Sequence, residues 1–156
     1  MGPTEIVALP PADIIAGEAT HPEQAAMVHG AYDEGRRAAR WAAERGHHRV
    51  VVLGAGAAGC GAASELRASG CEPVVVEARD RIGGRVHTAP LGPGLVGEAG
   101  ANWLQQGERN TLAPIAESLG LRLVPTDFHA PRELGPAGEL PPVDTDALVE
   151  HLRDRL

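Results

Sequence analysis

"RVVVLGAGAAGCGAASELRASGCEPVVVE" runs from Arg49 to Glu77, and its reading decides the fold. Val50 to Leu53 is an apolar run led by three β-branched valines, the composition of a parallel strand buried on both faces. Gly54, Gly56 and Gly59 follow at G-x-G-x-x-G spacing, and a helix is expected from about Ala57 to Ala68, with Ala63 and Leu66 inward and Gly70 as its stop. Pro73 to Glu77 is the next strand. A strand, a helix and a strand in that order make a parallel pair with a right-handed crossover. Gly54 permits the tight turn, Gly56 lets backbone approach a diphosphate, and Gly59 lets the helix lie close on the strand. The amides at the helix start, at Ala57 and Ala58, favour an anion. A carboxylate at Glu77, at the end of the second strand, accepts hydrogen bonds from ribose hydroxyls and repels a 2′-phosphate. FAD or NAD therefore fits this turn better than NADP.

Upstream, Val28, Ala31, Tyr32, Gly35, Ala38, Ala39 and Ala42 recur at helical spacing. They predict a helix to Arg45 with a thin inner surface, suited to lying close on a sheet, and a solvated face of charges opposite. Gly46 stops it. Before it, Ile14-Ile15-Ala16 reads as a short buried strand ending at Gly17. The alternation implies an α/β class, a Rossmann-like parallel sheet. Downstream, "RVHTAP" and "GLVGEAG" suggest a small ribbon, Asn110 or Thr111 caps a helix to about Leu119, and "LRLVP" is a candidate strand. Residues 125–143 read as a linker rich in Pro and Gly, and 144–156 as an amphipathic helix with Leu148, Val149, Leu152 and Leu156 on one side.

At 156 residues the chain is sized for one domain, burying roughly 70% of its unfolded surface. The 21 acidic residues outnumber 14 basic ones, all of them Arg, which disfavours nucleic acid as a partner. No apolar run approaches the ~20 residues of a membrane span. Cys60 and Cys71 are too few for a disulfide framework and read as two reduced, mostly buried thiols, consistent with a cytoplasmic setting. His21, His29, His47 and His48 read as solvated or capping groups, not a metal cluster. Glu98 reads as a capping or pairing acid rather than a base.

The continuation "VVVEARDRIGGRVHT" is more specific than the glycine fingerprint. With it, the chain resembles the flavin-containing amine oxidases over about Arg49 to Leu121. The resemblance implies FAD, held by Gly54, Gly56, Ala57, Ala58, Gly59, Glu77, Ala78 and Arg79. It also implies that Gly83, Gly84 and Arg85 lie along the diphosphate toward the flavin, and that Gly100, Ala101, Asn102 and Trp103 lie near the isoalloxazine ring. "AGEATHPEQAAMVHGAYDEGRRAA" is similar to the motif that normally closes the same family's chains. There Gly17 and Glu18 match the pair on the ribityl chain, and Met27, Val28, His29 and Gly30 match the helix start at the flavin N1–C2=O edge. The order is permuted, with the closing element before the opening one. A helix of roughly 18 residues spans about 27 Å, enough to return from one parallel strand to the start of its neighbour. Met27 stands where many relatives have Thr, and Gln105-Gln106-Gly107 where many have His-Gly.

By this resemblance residues 1–124 form the FAD-binding domain, permuted and incomplete, with 13–46 as the closing strand and helix and 49–124 as the fingerprint and flavin segment. The implied activity is FAD-dependent oxidation of the C–N bond of a small amine or amino acid by hydride transfer, with O2 as acceptor. Most of the family have a lysine near flavin N5 and an aromatic substrate cage, whereas this sequence has no Lys and four aromatics. The expectation is therefore a heteromer in which a second protein chain carries the substrate domain. No catalytic residue is assigned, and no metal site. The alternative is a non-catalytic FAD-binding or interaction subunit derived from an amine oxidase.

Overall fold

A computed structural model of the chain describes residues 14–127, 134–139, 151 and 153. The chain divides into two compact units between residues 119 and 120. In the first, α1 (Val28–Glu44) is followed by β1 (Arg49–Leu53), α2 (Ala57–Ala68), β2 (Glu72–Val76), β3 (Thr88–Gly92), β4 (Leu95–Glu98) and α3 (Ala113–Ser118). β1 and β2 pair in parallel, from Arg49 opposite Glu72 to Leu53 opposite Val76. β3 and β4 form the expected antiparallel ribbon, with a register shift between Pro90 and Gly92.

α1 ends because Gly46 turns left-handed at φ 76°, where its amide reaches the Ala43 carbonyl and that of His47 reaches Ala42. Arg45 lies over the Trp41 ring, which stacks on His47, so the turn into β1 is braced from both sides. The small-residue face of α1 does not lie on the sheet as expected. It lies on α2: a Cβ on Gly35 would strike the Ala58 carbonyl, and one on Gly61 the Tyr32 carbonyl. The two helices touch backbone to backbone, and Ala39, Ala42, Ala62, Leu66 and Cys71 form a shared core over Val50 and Val52 of β1. Leu66 is fully buried, as its inward assignment requires, whereas Ala63 is only partly so.

Four further expectations for this unit need correction. Residues 14–16 form no strand, and Ile15 is 82% exposed. Three apolar residues before a glycine are too few to hold a ladder, and the chain instead turns at Glu18–Thr20 and is fastened to α1, where the Thr20 hydroxyl donates to Glu34. The two-stranded sheet therefore lacks the expected neighbour of β1. Nor is β1 buried on both faces: Val51 and Leu53 are 61% and 77% exposed, because α1 and α2 cover one side only. The charged face of α1 is not merely solvated. Glu34 is buried and bonded to Arg37, Arg36 and Arg40 reach Glu65 of α2, and Asp33 accepts the Thr111 hydroxyl. Finally, Cys71 is buried but Cys60 is exposed.

In the second unit 121–127 forms no strand. A short hairpin, β5 (Leu134–Gly135) with β6 (Gly138–Glu139), lies inside the expected linker. His151 and Arg153 are helical; the remainder of the amphipathic helix expected over 144–156 lies outside the described residues, as do residues 1–13. No helix among the described residues is long and apolar enough to cross a membrane.

Candidate functional site

The site begins where β1 runs out. Gly54 takes φ 102°, a conformation that disfavours side chains, and its amide donates the last ladder bond to Val76 at 2.7 Å. The turn is then pinned from two directions. The Ala55 amide donates to Glu77 Oε2 at 2.7 Å, and the Ala55 carbonyl accepts from the Gly83 amide at 2.8 Å. Gly56 opens α2 in extended geometry and pairs with Gly83 through a single parallel bridge. Gly59 is a packing glycine, since a Cβ there would strike the Gly54 carbonyl. No side chain caps α2, so the amides of its first turn, Ala57 to Gly59, have no intrahelical partner.

Glu77 accepts a second amide, from Arg79 at 3.0 Å. The Ala55 hydrogen bond first, and then that of Arg79, hold its carboxyl below the usual value, so it is ionised at neutral pH. Ala78 follows in the bend between them. Beside Glu77 an open cleft of about 800 Å³ is lined by Arg79, Arg81, Gly83, His87 and Thr88.

Gly83 and Gly84 are both left-handed, at φ 99° and 62°, and bring the chain back over the glycine turn. A Cβ on Gly84 would lie 3.3 Å from Gly56 Cα. Arg81 donates to the Gly84 carbonyl, and Val86 closes the turn onto Gly83 at 3.0 Å. The next segment aligns the downstream motif: Ala99 donates to His87, Ala101 donates to Arg85, and a side chain on Gly100 would strike the Arg85 carbonyl. Asn102 and Trp103 follow, both exposed at the surface.

Arg85 reaches 67 residues back along the chain and donates through both terminal nitrogens to Glu18, at 3.2 and 2.6 Å. Its guanidinium lowers the Glu18 pKa, and Glu18 raises that of Arg85. Gly17 immediately precedes the turn that presents Glu18. Met27 and Val28 begin α1, again without a side-chain cap. Their link to the remainder is through His29, expected from the sequence to be a matched helix start and a solvated or capping group; it is neither solvated nor a cap, because it is buried against Gln24 and Asn110. His29 and Asn110 are 2% and 3% exposed, and Asn110 donates to His29 Nδ1 at 3.3 Å. Nothing in the local pattern of either segment reveals that pairing, because it spans 81 residues. Among the described residues no cluster of His, Cys, Asp or Glu could hold a metal.

The glycine turn, Glu77, Gly83 to Arg85, Gly100, Ala101 and Glu18 are thus linked in one series of contacts that starts at the carboxyl ends of β1 and β2, where open parallel sheets bind ligands, and Asn102 and Trp103 follow next in the chain. Comparison with known proteins agrees with the ligand class. Residues 57–152 match the model of the family described as flavin containing amine oxidoreductase. Polyamine oxidase 3 of Oryza sativa subsp. japonica is 48% identical over 78 residues, 49% of this chain and 16% of the relative. The flavin-dependent L-tryptophan oxidase RebO of Lentzea aerocolonigenes is 56% identical over 50 residues, 32% of this chain and 11% of the relative. A possible lysine-specific histone demethylase 1 of Drosophila melanogaster is 32% identical over 108 residues, 69% of this chain and 12% of the relative. The chain therefore spans less than a fifth of the length of each of these relatives. With more than half of its residues on the family model, the chain belongs to the flavin containing amine oxidoreductase family, whose cofactor is FAD.

Proposed function

We propose that this chain supplies the FAD-binding part of an amine or amino-acid oxidase whose substrate-facing part is carried by a second chain. Gly56 carries the argument. Gly54 is glycine because its φ demands it, and Gly59 because a neighbouring carbonyl does. Gly56 has φ −78° and nothing within 4 Å of a Cβ, so neither backbone nor packing requires glycine there. A diphosphate lying against the turn does. The first-turn amides of α2 would take its charge, Glu77 the ribose hydroxyls, and Gly83 to Arg85 the side facing the flavin. That Glu18 is ion-paired to Arg85 supports a closing element placed ahead of the opening one.

Bound FAD would supply the acceptor for a hydride from the carbon next to a substrate nitrogen, with O2 as terminal oxidant. The chain's own part is to hold the cofactor and fix its orientation. The uncapped start of α1, matched by the resemblance to the flavin N1–C2=O edge, would stabilise negative charge there. The relatives' names, polyamine oxidase and L-tryptophan oxidase, favour amines or amino acids as the substrate class. The bare face of β1 and β2, with Val51, Leu53 and Val76 exposed, supports a covering partner.

Titration of the full chain with FAD, followed by flavin fluorescence, tests the reading. Saturable binding of one FAD per chain is expected. Gly56→Ala should weaken it by about tenfold or more, since one lost diphosphate contact is worth about 1.4 kcal/mol or above, and should leave the urea midpoint unchanged. No uptake of FAD, or a Gly56→Ala variant that binds as well as the parent, overturns it.

A further inference from the structure

A buried chain of polar side chains joins α1 to the segment after Trp103, and the cofactor contacts proposed above use none of these side chains, only the backbone start of α1. Gln24, His29 and Asn110 are 9%, 2% and 3% exposed, and hydrogen bonds join them in a row, Gln24 Oε1 to His29 Nε2 and His29 Nδ1 to Asn110 Nδ2. The Asn110 orientation is fixed twice: its Oδ1 accepts the Leu112 amide at 2.9 Å, and its Nδ2 donates to the Gln105 carbonyl at 2.8 Å. The same amide nitrogen faces His29 Nδ1, so Nδ1 must accept and the ring proton must lie on Nε2, where Gln24 Oε1 accepts it at 2.8 Å. Turning Asn110 over would break both of its other bonds. The junction is therefore built for one tautomer.

A second observation marks the same place. Among the described residues two non-glycine residues have positive φ, Ala26 at 63° and Gln106 at 65°. They flank the junction on its two sides, Ala26 between Gln24 and His29, Gln106 next to Gln105. Left-handed backbone at such residues persists only where surrounding bonds over-determine it, and it gathers at sites where position matters. Gly30 adds to the constraint, because a Cβ there would strike the Gln24 carbonyl.

From these observations, and resting on the FAD reading above, we infer that His29 and Asn110 are positioning residues: they fix the Trp103 to Gln106 loop against the amino terminus of α1 and so set the environment of the bound flavin. The contact frame closes through them. Gly56 meets Gly83, Arg85 and His87 hold Ala101 and Ala99, Asn110 holds Gln105, and His29 returns the path to α1. Other links between the two segments are the part-buried Thr111–Asp33 hydrogen bond and the exposed Arg109–Glu23 pair, neither of which touches Gln105.

The test uses the full chain with FAD. His29→Ala and Asn110→Ala should each weaken FAD binding about tenfold, the scale of one buried hydrogen bond. The double variant should lose no more than about tenfold, because both remove the same junction. The flavin reduction potential and visible circular dichroism of the FAD-bound variants should move together. His29→Asn, whose side-chain oxygen replaces the Nδ1 acceptor, should restore them, whereas His29→Gln should not. Nitrogen NMR of the imidazole should find the proton on Nε2. A chain that binds FAD with parental potential in both alanine variants, or with additive losses, refutes this inference and leaves the FAD reading standing. A chain that takes up no FAD refutes both.

Discussion

Replacing Gly35 by Ala puts two opposed effects in competition. On an isolated helix the change gains about 1 kcal/mol. Here Gly35 of α1 lies on the Ala58 carbonyl and the Ala62 amide of α2, and a methyl group would overlap the carbonyl. Those atoms are helix backbone and cannot rotate away, so the helices must part along the seam of Ala39, Ala42, Ala62 and Leu66. Overpacking of this kind reaches about 3 kcal/mol, leaving a net loss of about 2 kcal/mol. With a urea m-value of about 1.5 kcal/mol/M for a small domain, the midpoint should fall by about 1 M. Gly61→Ala, which meets the Tyr32 carbonyl across the same seam, should act alike. The double variant should lose at least about 1 kcal/mol less than the sum, since the first methyl opens room for the second. Circular dichroism during urea unfolding of the full chain is the assay. A raised midpoint in Gly35→Ala would show that helix propensity prevails and that α1 and α2 do not touch there.

Acid stability follows from the carboxylates of the same helix pair. Arg37 first, and then Thr20, hold Glu34 below the ordinary value of 4.5, and Arg36 does so for Glu65. Depressed folded values mean that the stabilisation is complete above the unfolded value and is lost as pH falls through the folded ones. Glu34→Gln with Glu65→Gln should therefore flatten the fall in urea midpoint below pH 4.5; a decline as steep as the parent's would assign it to other groups. On the bare sheet face, Leu53→Glu should keep the unfolding free energy from urea titration within about 0.5 kcal/mol of the parent's and reduce light scattering at high concentration. A large stability loss would mean that Leu53 is covered.

The strand, turn and helix from Arg49 to Glu77 were legible in the sequence because every determinant there is local: β-branched apolar residues, glycines at fixed spacing and a carboxylate one strand away. The ribbon of β3 and β4 was legible for the same reason. Residues that local pattern could not place are those whose partners are distant. Ile14-Ile15-Ala16 has a strand's composition, yet the Thr20–Glu34 hydrogen bond draws that segment onto α1. The small face of α1 announces close packing, but only the assembled core decides that the surface it meets is Ala58 to Ala62 rather than a sheet. His29 and Asn110 each look like an ordinary helix-end residue. Sequence fixes their donors and acceptors, but burial, which forbids water as a substitute partner, is a property of the packed structure and makes them depend on each other.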